Sequence, residues 1–228
     1  MDHLIDMRGV RKAYRTGAVT FEALKGVDFQ VKRGEFVAVV GPSGSGKSTL
    51  MNLAGCLDVP TGGEYLLENI NVNTLTSNQL ADIRNRKVGF VFQAFNLLPY
   101  ATAYENIEVP LLFAKVSNAK RRRRITELLA RVGLAEKAAN RPTEMSGGEM
   151  QRVAVARALA NEPDIILADE PTGNLDSKSG SAIVQLFKEL HESGKTIVII
   201  THDMNIARQS ERVVKLKDGL VDTNGNLA

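Results

Sequence analysis

The sequence contains only one cysteine, Cys56, among its 228 residues. A single cysteine cannot form an internal disulfide and offers no partner for a metal site built from cysteines. We expect Cys56 to be a small buried residue on a helix. Long apolar runs are missing too, because the longest, at 36–40, 165–168 and 197–200, are only as long as strands. A helix that crosses a bilayer needs roughly 18 to 20 apolar residues, so we do not expect the chain to span a membrane by itself.

The sequence also lacks a large excess of charge of one sign. Lysine and arginine total 29 and aspartate and glutamate total 26, which leaves a net charge of +3. So small an excess gives no reason to expect a nucleic-acid partner. Residues 1–10 place Asp2, Asp6 and Arg8 among the apolar residues, so they do not read as a signal peptide. We therefore expect the protein in the cytoplasm.

The composition is typical of a well-packed globular protein, with 43% hydrophobic and 24% charged residues. The three apolar runs are rich in Val and Ile without alternation, as in strands of a parallel sheet that is buried on both faces. A turn and a helical pattern follow each run, with helices expected from Lys47, at 177–192 and near 204–209. This repetition predicts an α/β fold with a mainly parallel sheet.

Two other parts of the chain show different patterns. Residues 94–161 have helical periodicity. One apolar face of this region is formed by Ile125, Leu128, Leu129 and Val132. Residues 1–35 and 62–73 have short alternating runs and glycine turns, which predict a small antiparallel sheet. We therefore predict a single domain whose core is about 1–93 and 162–228, with the helical region inserted as a subdomain.

A glycine-rich segment lies between the first apolar run and the helix from Lys47, and it fits G-x-x-x-x-G-K-[ST]. Glycines let consecutive backbone N–H groups turn toward the β and γ phosphates of a nucleotide, and the positive end of the helix adds to the attraction. Lys47 supplies a point charge to those phosphates, and the Ser48 hydroxyl is placed to bind Mg²⁺. We assign nucleotide binding to Gly41, Pro42, Ser43, Gly44, Ser45, Gly46, Lys47, Ser48 and Thr49.

Two adjacent acids, Asp169 and Glu170, end the second apolar run. Ligands of α/β proteins bind at the carboxyl ends of parallel strands, where Asp169 can hold Mg²⁺ through its water shell. Glu170 is one residue further and points elsewhere, so it is suited to polarise an attacking water.

The segment Met145-Ser146-Gly147-Gly148-Glu149-Met150-Gln151-Arg152 resembles the signature motif of ABC ATPases, and it lies just upstream of the acid pair as in that family. The resemblance covers nearly the whole chain. It implies a P-loop NTPase (RecA-like) core, an antiparallel β subdomain and an α-helical signature subdomain. The usual signature has Leu and Gln where this chain has Met145 and Glu149, and the second change removes an amide donor.

In that family, the signature of one subunit completes the γ-phosphate site of another. The resemblance therefore implies a homodimer with two ATP molecules between its subunits. Ser146, Gly147 and Gly148 would contact the nucleotide of the second copy. They precede an expected helix at 149–160, so their hydroxyl and amides can form an anion site at its N-terminus.

Four more positions match motifs of the family. Gln93 corresponds to the Q-loop glutamine, which touches the metal and water, and His202 corresponds to the histidine that contacts the γ-phosphate. Asp176 matches the D-loop, which communicates across the dimer. Tyr14 resembles the aromatic residue that stacks on adenine, although a surface strand tyrosine is the alternative.

The resemblance and the residues together predict an ATPase that uses Mg²⁺. No Asn-Lys-x-Asp occurs, so ATP is favoured over GTP. The expected reaction is in-line attack of a water polarised by Glu170, with the charge on the γ-phosphate stabilised by Lys47, Mg²⁺ and the opposite signature.

The segments 75–98 and 105–111 resemble the subgroup of lipoprotein-releasing and macrolide-export ATPases. This implies a separate integral membrane permease that docks near Ala94 to Tyr104, with the ATPase peripheral on the cytoplasmic face of the cell membrane. The alternatives are a non-transport ABC ATPase that switches a membrane partner, as in cell division, and an ATP-binding scaffold without turnover. Lys120 to Arg124 is a basic run that we interpret as a solvated face, with contact to anionic lipid or a partner as the alternative.

Overall fold

The computed structural model describes residues 3–17 and 19–222. These form two compact units: the described parts of Met1–Arg84 and Thr196–Ala228 make the first, and Asn85–Lys195 makes the second. The strands are β1 His3–Thr16, β2 Val19–Lys32, β3 Phe36–Val40, β4 Gly62–Leu67, β5 Ile70–Asn71, β6 Val88–Phe92, β7 Ile165–Asp169, β8 Thr196–Ile200, β9 Arg212–Lys217 and β10 Leu220–Val221. The helices are α1 Lys47–Ala54, α2 Ser77–Lys87, α3 Ala103–Phe113, α4 Asn118–Arg131, α5 Gly147–Ala158, α6 Ser177–Glu192 and α7 Met204–Ala207.

The first unit contains the predicted antiparallel sheet, in the order β2-β1-β4-β5. Strand β1 lies in its centre, with Met7 opposite Phe29 on one side and opposite Tyr65 on the other. All three side chains are buried, so this face forms a core. The same unit also contains a parallel group of strands, in which β3 pairs with both β8 and β9. Every residue of β3 and β8 is buried, as their unbroken apolar sequences predict.

The second unit combines the helical region with the parallel pair β6 and β7. The predicted apolar face of α4 is buried, and so are most residues of α5. The predicted α/β fold with a mainly parallel sheet and a small antiparallel sheet is confirmed. No helix within residues 3–17 and 19–222 is long and apolar enough to cross a bilayer.

Several local expectations need correction. Cys56 is buried as predicted, but it lies in the turn after α1 with a φ of 55°, and burial raises its thiol pKa to about 11. The helix expected at 149–160 begins at Gly147, and the one expected near 204–209 ends at Ala207. Sequence reasoning missed α2, which buries no residue and so lacks an apolar face. It also missed the hairpin of β9 and β10.

Candidate active site

The glycine-rich segment lies in the first unit, directly after β3 and before α1. The carbonyl of Leu216 on β9 would be 2.1 Å from a Cβ at position 41. At Gly46 the φ is 103°, and a Cβ would lie 2.7 Å from the carbonyl of Ala23 on β2. Both positions therefore require glycine, because backbone atoms occupy the place of a side chain. Neighbouring strands hold the segment in its turned conformation.

Lys47 reaches back across this segment. Its Nζ donates to the carbonyl oxygens of Gly41, at 2.8 Å, and Pro42, at 2.9 Å. The adjacent side chain of Ser45 is only 2% exposed, and none of the described residues hydrogen-bonds its Oγ. Ser48 and Thr49 belong to the first turn of α1, whose amides have no partner within the helix. The segment thus presents a cation, a hydroxyl and backbone donors, which suits a phosphate group.

The β9–β10 hairpin supports the segment from one side. The N–H of Gly219 donates to the carbonyl of Ser45 at 3.0 Å, and the Gly219 carbonyl accepts from Lys25 N–H at 2.9 Å. Asp218 and Gly219 both have positive φ, as a two-residue hairpin turn requires. Sequence reasoning missed this support, although an Asp-Gly pair between short apolar strands is a strong hairpin signal.

His202 and Tyr14 lie elsewhere in the first unit. His202 is exposed and lies just beyond the carboxyl end of β8. Strand β8 pairs with β3, which leads into the phosphate loop. Tyr14 lies on β1, in the antiparallel sheet, and is 39% exposed. Its hydroxyl donates to Asp58 at 3.1 Å, and the Lys12 ammonium lies 5.0 Å from its ring centroid. Burial alone would raise the pKa of Asp58, but the hydrogen bonds from Lys12, the Val59 N–H and Tyr14, together with the charge of Lys12, outweigh it and the pKa is lowered. The Tyr14 ring is thus a fixed, partly exposed surface.

The second unit brings Gln93, Asp169 and Glu170 to one edge of its parallel pair. Phe92 and Asp169 are register partners at the ends of β6 and β7, so Gln93 and Glu170 each follow directly. The Gln93 Nε2 donates to the Asn174 Oδ1 at 3.2 Å, and the Asn174 Nδ2 donates to the Gln93 carbonyl at 3.0 Å. The strand-end placement predicted for these three residues agrees with the structure.

The backbone at Glu170 is unusual. Its φ is 45°, in the left-handed region, although it is not glycine and it precedes Pro171. A residue before proline is normally extended, and a non-glycine residue held in a sparsely populated region stores about 1–3 kcal/mol. The Glu170 carbonyl accepts from the N–H of Gly173 at 3.0 Å, which closes a tight turn. The backbone therefore leaves the direction of β7 at Glu170.

The signature segment forms the N-terminus of α5. Ser146 is the N-cap, and its Oγ accepts from the N–H of Glu149 at 3.3 Å. The Glu149 carboxylate accepts from the Ser146 N–H at 2.8 Å, which completes a capping box. This backbone hydrogen bond lowers the pKa of Glu149. The departure from the usual glutamine therefore leaves the cap intact and adds a negative charge to the predicted anion site.

The segment around Asp176 packs against the signature glycines. A Cβ at Gly148 would lie 2.7 Å from the Ser179 Oγ, and one at Gly147 would lie 3.3 Å from Leu175. Asp176 is the N-cap of α6, where its carboxylate accepts from the N–H groups of Lys178 and Ser179. The Asp176 side chain therefore has a local structural role, and its expected role in nucleotide binding stays a prediction.

The segment Ala94 to Tyr104 includes exposed apolar and aromatic side chains, among them Leu98 at 51% and Tyr100 at 88%. Two side chains, Asn106 and Arg157, hydrogen-bond its backbone. Asn106, 1% exposed, accepts from the Leu98 N–H and donates to three carbonyls between 98 and 102. Arg157 on α5 donates to the carbonyls of Phe95 and Asn96. Sequence reasoning gave neither residue this structural role, because their partners are backbone groups, which no residue type marks, and those of Arg157 lie in another element.

The basic run Lys120 to Arg124 is not uniformly solvated. Arg121 bonds Glu108 at 2.8 Å and the Val116 carbonyl at 2.7 Å. Arg124 bonds the Leu159 and Ala160 carbonyls at the end of α5. Two of the five cations are therefore structural, which corrects the expectation of one solvated face.

The donors assigned to Mg²⁺ are Ser48, Gln93 and Asp169. In the part of the chain that the structure describes, no three His, Cys, Asp or Glu side chains form a metal cage. Asp169 and Gln93, in the second unit, offer a carboxylate and an amide oxygen, and Ser48, in the first unit, offers a hydroxyl. Oxygen donors suit Mg²⁺, which is usually bound by one or two carboxylates together with substrate phosphates. The chemistry of each donor thus fits this cation.

Comparison with known proteins gives consistent matches. A family model described as "ABC transporter" matches residues 24–173. The ABC transporter ATP-binding protein MJ0796 of Methanocaldococcus jannaschii is 52% identical over 229 residues, which cover 98% of this chain and 97% of that protein. The macrolide export ATP-binding/permease protein MacB of Brucella melitensis is 47% identical over 218 residues, which cover 96% of this chain and 34% of that protein. A dimeric structure of MJ0796 in a post-hydrolysis state, bound to ADP and Pi, superposes with a TM-score of 0.90 at 50% identity and covers 98% of this chain and 99% of that one.

Proposed function

The chain belongs to the ABC transporter family, and we propose that it is the ATP-binding and ATP-hydrolysing subunit of a transporter complex. The resemblance seen in the signature is confirmed, including the relation to macrolide-export proteins. The observation that carries the proposal is the phosphate loop, in which the backbone around Gly41 and Gly46 leaves no room for side chains and Lys47 lies across the turn. This arrangement is built for a triphosphate.

The dimer follows from the two separate binding features of the chain. The phosphate loop binds one nucleotide, while the capped N-terminus of α5, with Ser146 exposed, can bind the γ-phosphate of a second copy. The dimeric form of MJ0796 with ADP and Pi supports this arrangement. We propose that ATP closes a homodimer and that hydrolysis reopens it.

The hydrolytic roles rest on the strand-end residues. Glu170 polarises the attacking water, and His202 contacts the γ-phosphate. Asp169, Gln93 and Ser48 would hold Mg²⁺, which neutralises phosphate charge when it is bound. Tyr14 supports the adenine base, and Asp176 communicates across the dimer.

The membrane partner is proposed to be a separate permease. MacB is an ATP-binding/permease protein, and this chain matches only 34% of its length. The exposed Leu98 and Tyr100, on a backbone fixed by Asn106, provide a preformed apolar surface between Ala94 and Tyr104. We propose that the permease binds there and places the ATPase on the cytoplasmic face of the cell membrane.

We also propose that the chain is one ABC ATPase domain, with a core of about 1–93 and 162–228 and a helical subdomain of about 94–161.

Glu170→Gln tests the catalytic assignment. The variant is expected to bind ATP and to remain a dimer on size-exclusion chromatography in ATP, because the amide retains the shape of the carboxylate. It is expected to lose phosphate release, because the amide is a poor base. Glu192→Gln, at an exposed position of α6, makes the same chemical change and should hydrolyse ATP normally. Substantial turnover by Glu170→Gln would show that another group activates the water.

A further inference from the structure

Gln151 lies on the signature helix α5 and is 0% exposed. Its Nε2 donates to the carbonyl of Pro171 at 2.7 Å, and the carbonyl of Phe92 is 3.4 Å from the same nitrogen. Pro171 follows Glu170, and Phe92 precedes Gln93. One buried amide therefore connects the signature helix to the backbone beside two residues of the proposed hydrolytic site.

The other end of this amide shows why its presence is unexpected. No described residue donates a hydrogen bond to the Gln151 Oε1, which is buried. A buried acceptor without a donor is destabilising, and an apolar side chain of similar size would avoid the loss. Stability alone therefore does not explain a glutamine here, whereas the Nε2 contacts do.

The contact to Pro171 is valuable because the preceding residue is strained. The left-handed φ of Glu170 persists only if its surroundings determine it. The Gly173 N–H holds the Glu170 carbonyl, and the Gln151 Nε2 holds the next carbonyl along the chain. These two hydrogen bonds fix the peptides on the carboxyl side of Glu170.

We propose that Gln151 is a positioning residue that orients Glu170 for hydrolysis and ties that orientation to the signature helix. This proposal rests on the proposed function, in which Glu170 activates the water. Among the described residues, the hydrogen bonds of the Gln151 side chain go to backbone carbonyls, so it acts through Glu170. Its loss should slow the chemical step while ATP binding and dimer closure continue.

Gln151→Met tests the proposal, because methionine has a similar length and no N–H donor. Turnover is measured by phosphate release per ATP-binding site, so that unfolded protein does not count. We expect kcat to fall between about 10-fold and 100-fold, because a misplaced base loses much of its contribution. KM for ATP should change less than about twofold, and ATP should still close the dimer. Gln151→Leu provides the same measurement if the methionine variant does not fold.

Val155→Ala on the same helix is the matched control. Val155 is fully buried on α5, so this change lowers the melting temperature without removing a hydrogen bond. Its kcat per binding site should equal that of the wild type. If both Gln151 variants keep kcat within threefold, or if kcat, KM and melting temperature change together as for a packing defect, Gln151 is only structural and the proposal is wrong. If Glu170→Gln itself retains turnover, the proposed function fails instead, whatever the Gln151 variants do.

Discussion

Replacing Glu149 by glutamine removes a negative charge from the N-terminus of α5 and restores the residue that is usual in the family. The glutamine oxygen can still accept from the Ser146 N–H, so the capping geometry should survive. The pKa of Glu149 is lowered by that backbone hydrogen bond, so the wild-type residue is ionised at neutral pH. Two opposite effects follow, one on stability and one on nucleotide binding.

The stability effect is small. A carboxylate in the first turn of a helix contributes about 0.3–1 kcal/mol through the helix dipole. In a chain of this size, that corresponds to about 1–3 °C in melting temperature. The ion pair of Glu149 with Lys137 adds little, because its atoms are 3.6 Å apart and the lysine side chain is 42% exposed.

The binding effect has the opposite sign. For a bound phosphate on the order of 7 Å from the carboxylate, Coulomb's law gives a repulsion of about 0.6–2.4 kcal/mol, for effective dielectric constants between 80 and 20. Ser146, at the same end of α5, is exposed to solvent, so a site there is close to water and the lower end of this range applies. Glu149→Gln should therefore lower the ATP concentration needed for dimer closure about three- to fivefold. The gain should shrink as salt is added, because salt screens the repulsion.

The assay is dimer formation against ATP concentration in the Glu170→Gln background, at low and high salt, together with thermal melts. Glu105→Gln is a matched control, because Thr102 and Glu105 form the same capping box on α3, outside the signature. The control should lose stability and leave ATP-driven dimerisation unchanged. If Glu149→Gln leaves dimerisation unchanged as well, or weakens it, no bound phosphate lies near the signature cap. The proposed dimer, in which each signature contacts the ATP of the other copy, is then contradicted.

Three further predictions concern other parts of the chain. Gly173→Ala would place a Cβ 2.6 Å from the Gln93 Nε2 and force that side chain to move. We expect kcat to fall while the melting temperature stays within about 2 °C. Unchanged phosphate release would contradict a role for Gln93 in hydrolysis. The backbone hydrogen bond from Ser179 lowers the pKa of Asp176 in the folded state. The stability that the Asp176 carboxylate contributes is therefore complete above the ordinary carboxyl pKa and is lost as pH falls through the lowered value. Thermal melts from about pH 6 to pH 3 should show a steeper decline in melting temperature for wild type than for Asp176→Asn, and parallel declines would contradict this. Replacing only the exposed cations of the basic run by glutamine should weaken flotation of the protein with anionic vesicles and leave ATP turnover of the free protein unchanged. If flotation does not change, the run is a solvated surface that does not contact lipid. These cations are Lys120, Arg122 and Arg123.

The parts of the site that were predictable have their signals within a few residues of each other. The phosphate loop is set by glycine spacing and Lys47, and α1 begins at that lysine as expected. The acids at the end of β7 follow an unbroken apolar run, which places them at a strand end. Short-range steric and electrostatic requirements determine such features, so the sequence displays them directly.

Some missed elements also had local signals. The capping pair Thr76 and Gln79 marks the start of α2, where the Thr76 N–H donates to the Gln79 side chain at 2.9 Å. Within the basic run, Arg121 and Arg124 are three positions apart, so they share one side of the helix. That spacing could have separated the two structural cations from the three exposed ones.

The long-range contacts of Gln151 and Arg157 could not be identified in this way. Arg157 bonds carbonyls 61 and 62 residues away, and Gln151 bonds carbonyls 20 and 59 residues away. A backbone carbonyl is present at every position, so no residue type in the sequence marks it as a partner. Only the tertiary fold determines which carbonyls need a donor.

These long-range bonds give α5 a role beyond its signature end. Gln151 holds Phe92 and Pro171, and one turn and a half further Arg157 holds Phe95 and Asn96. The proposed docking segment and the turn that carries Glu170 are thus bonded to one helix within the second unit. A partner that displaces the segment around 92–96 must therefore either move α5, and with it the signature and the turn after Glu170, or break these hydrogen bonds. The bond from Gln151 to the Pro171 carbonyl is buried, so breaking it leaves an unsatisfied carbonyl, and the proposed docking segment and the turn after Glu170 are thus connected through α5.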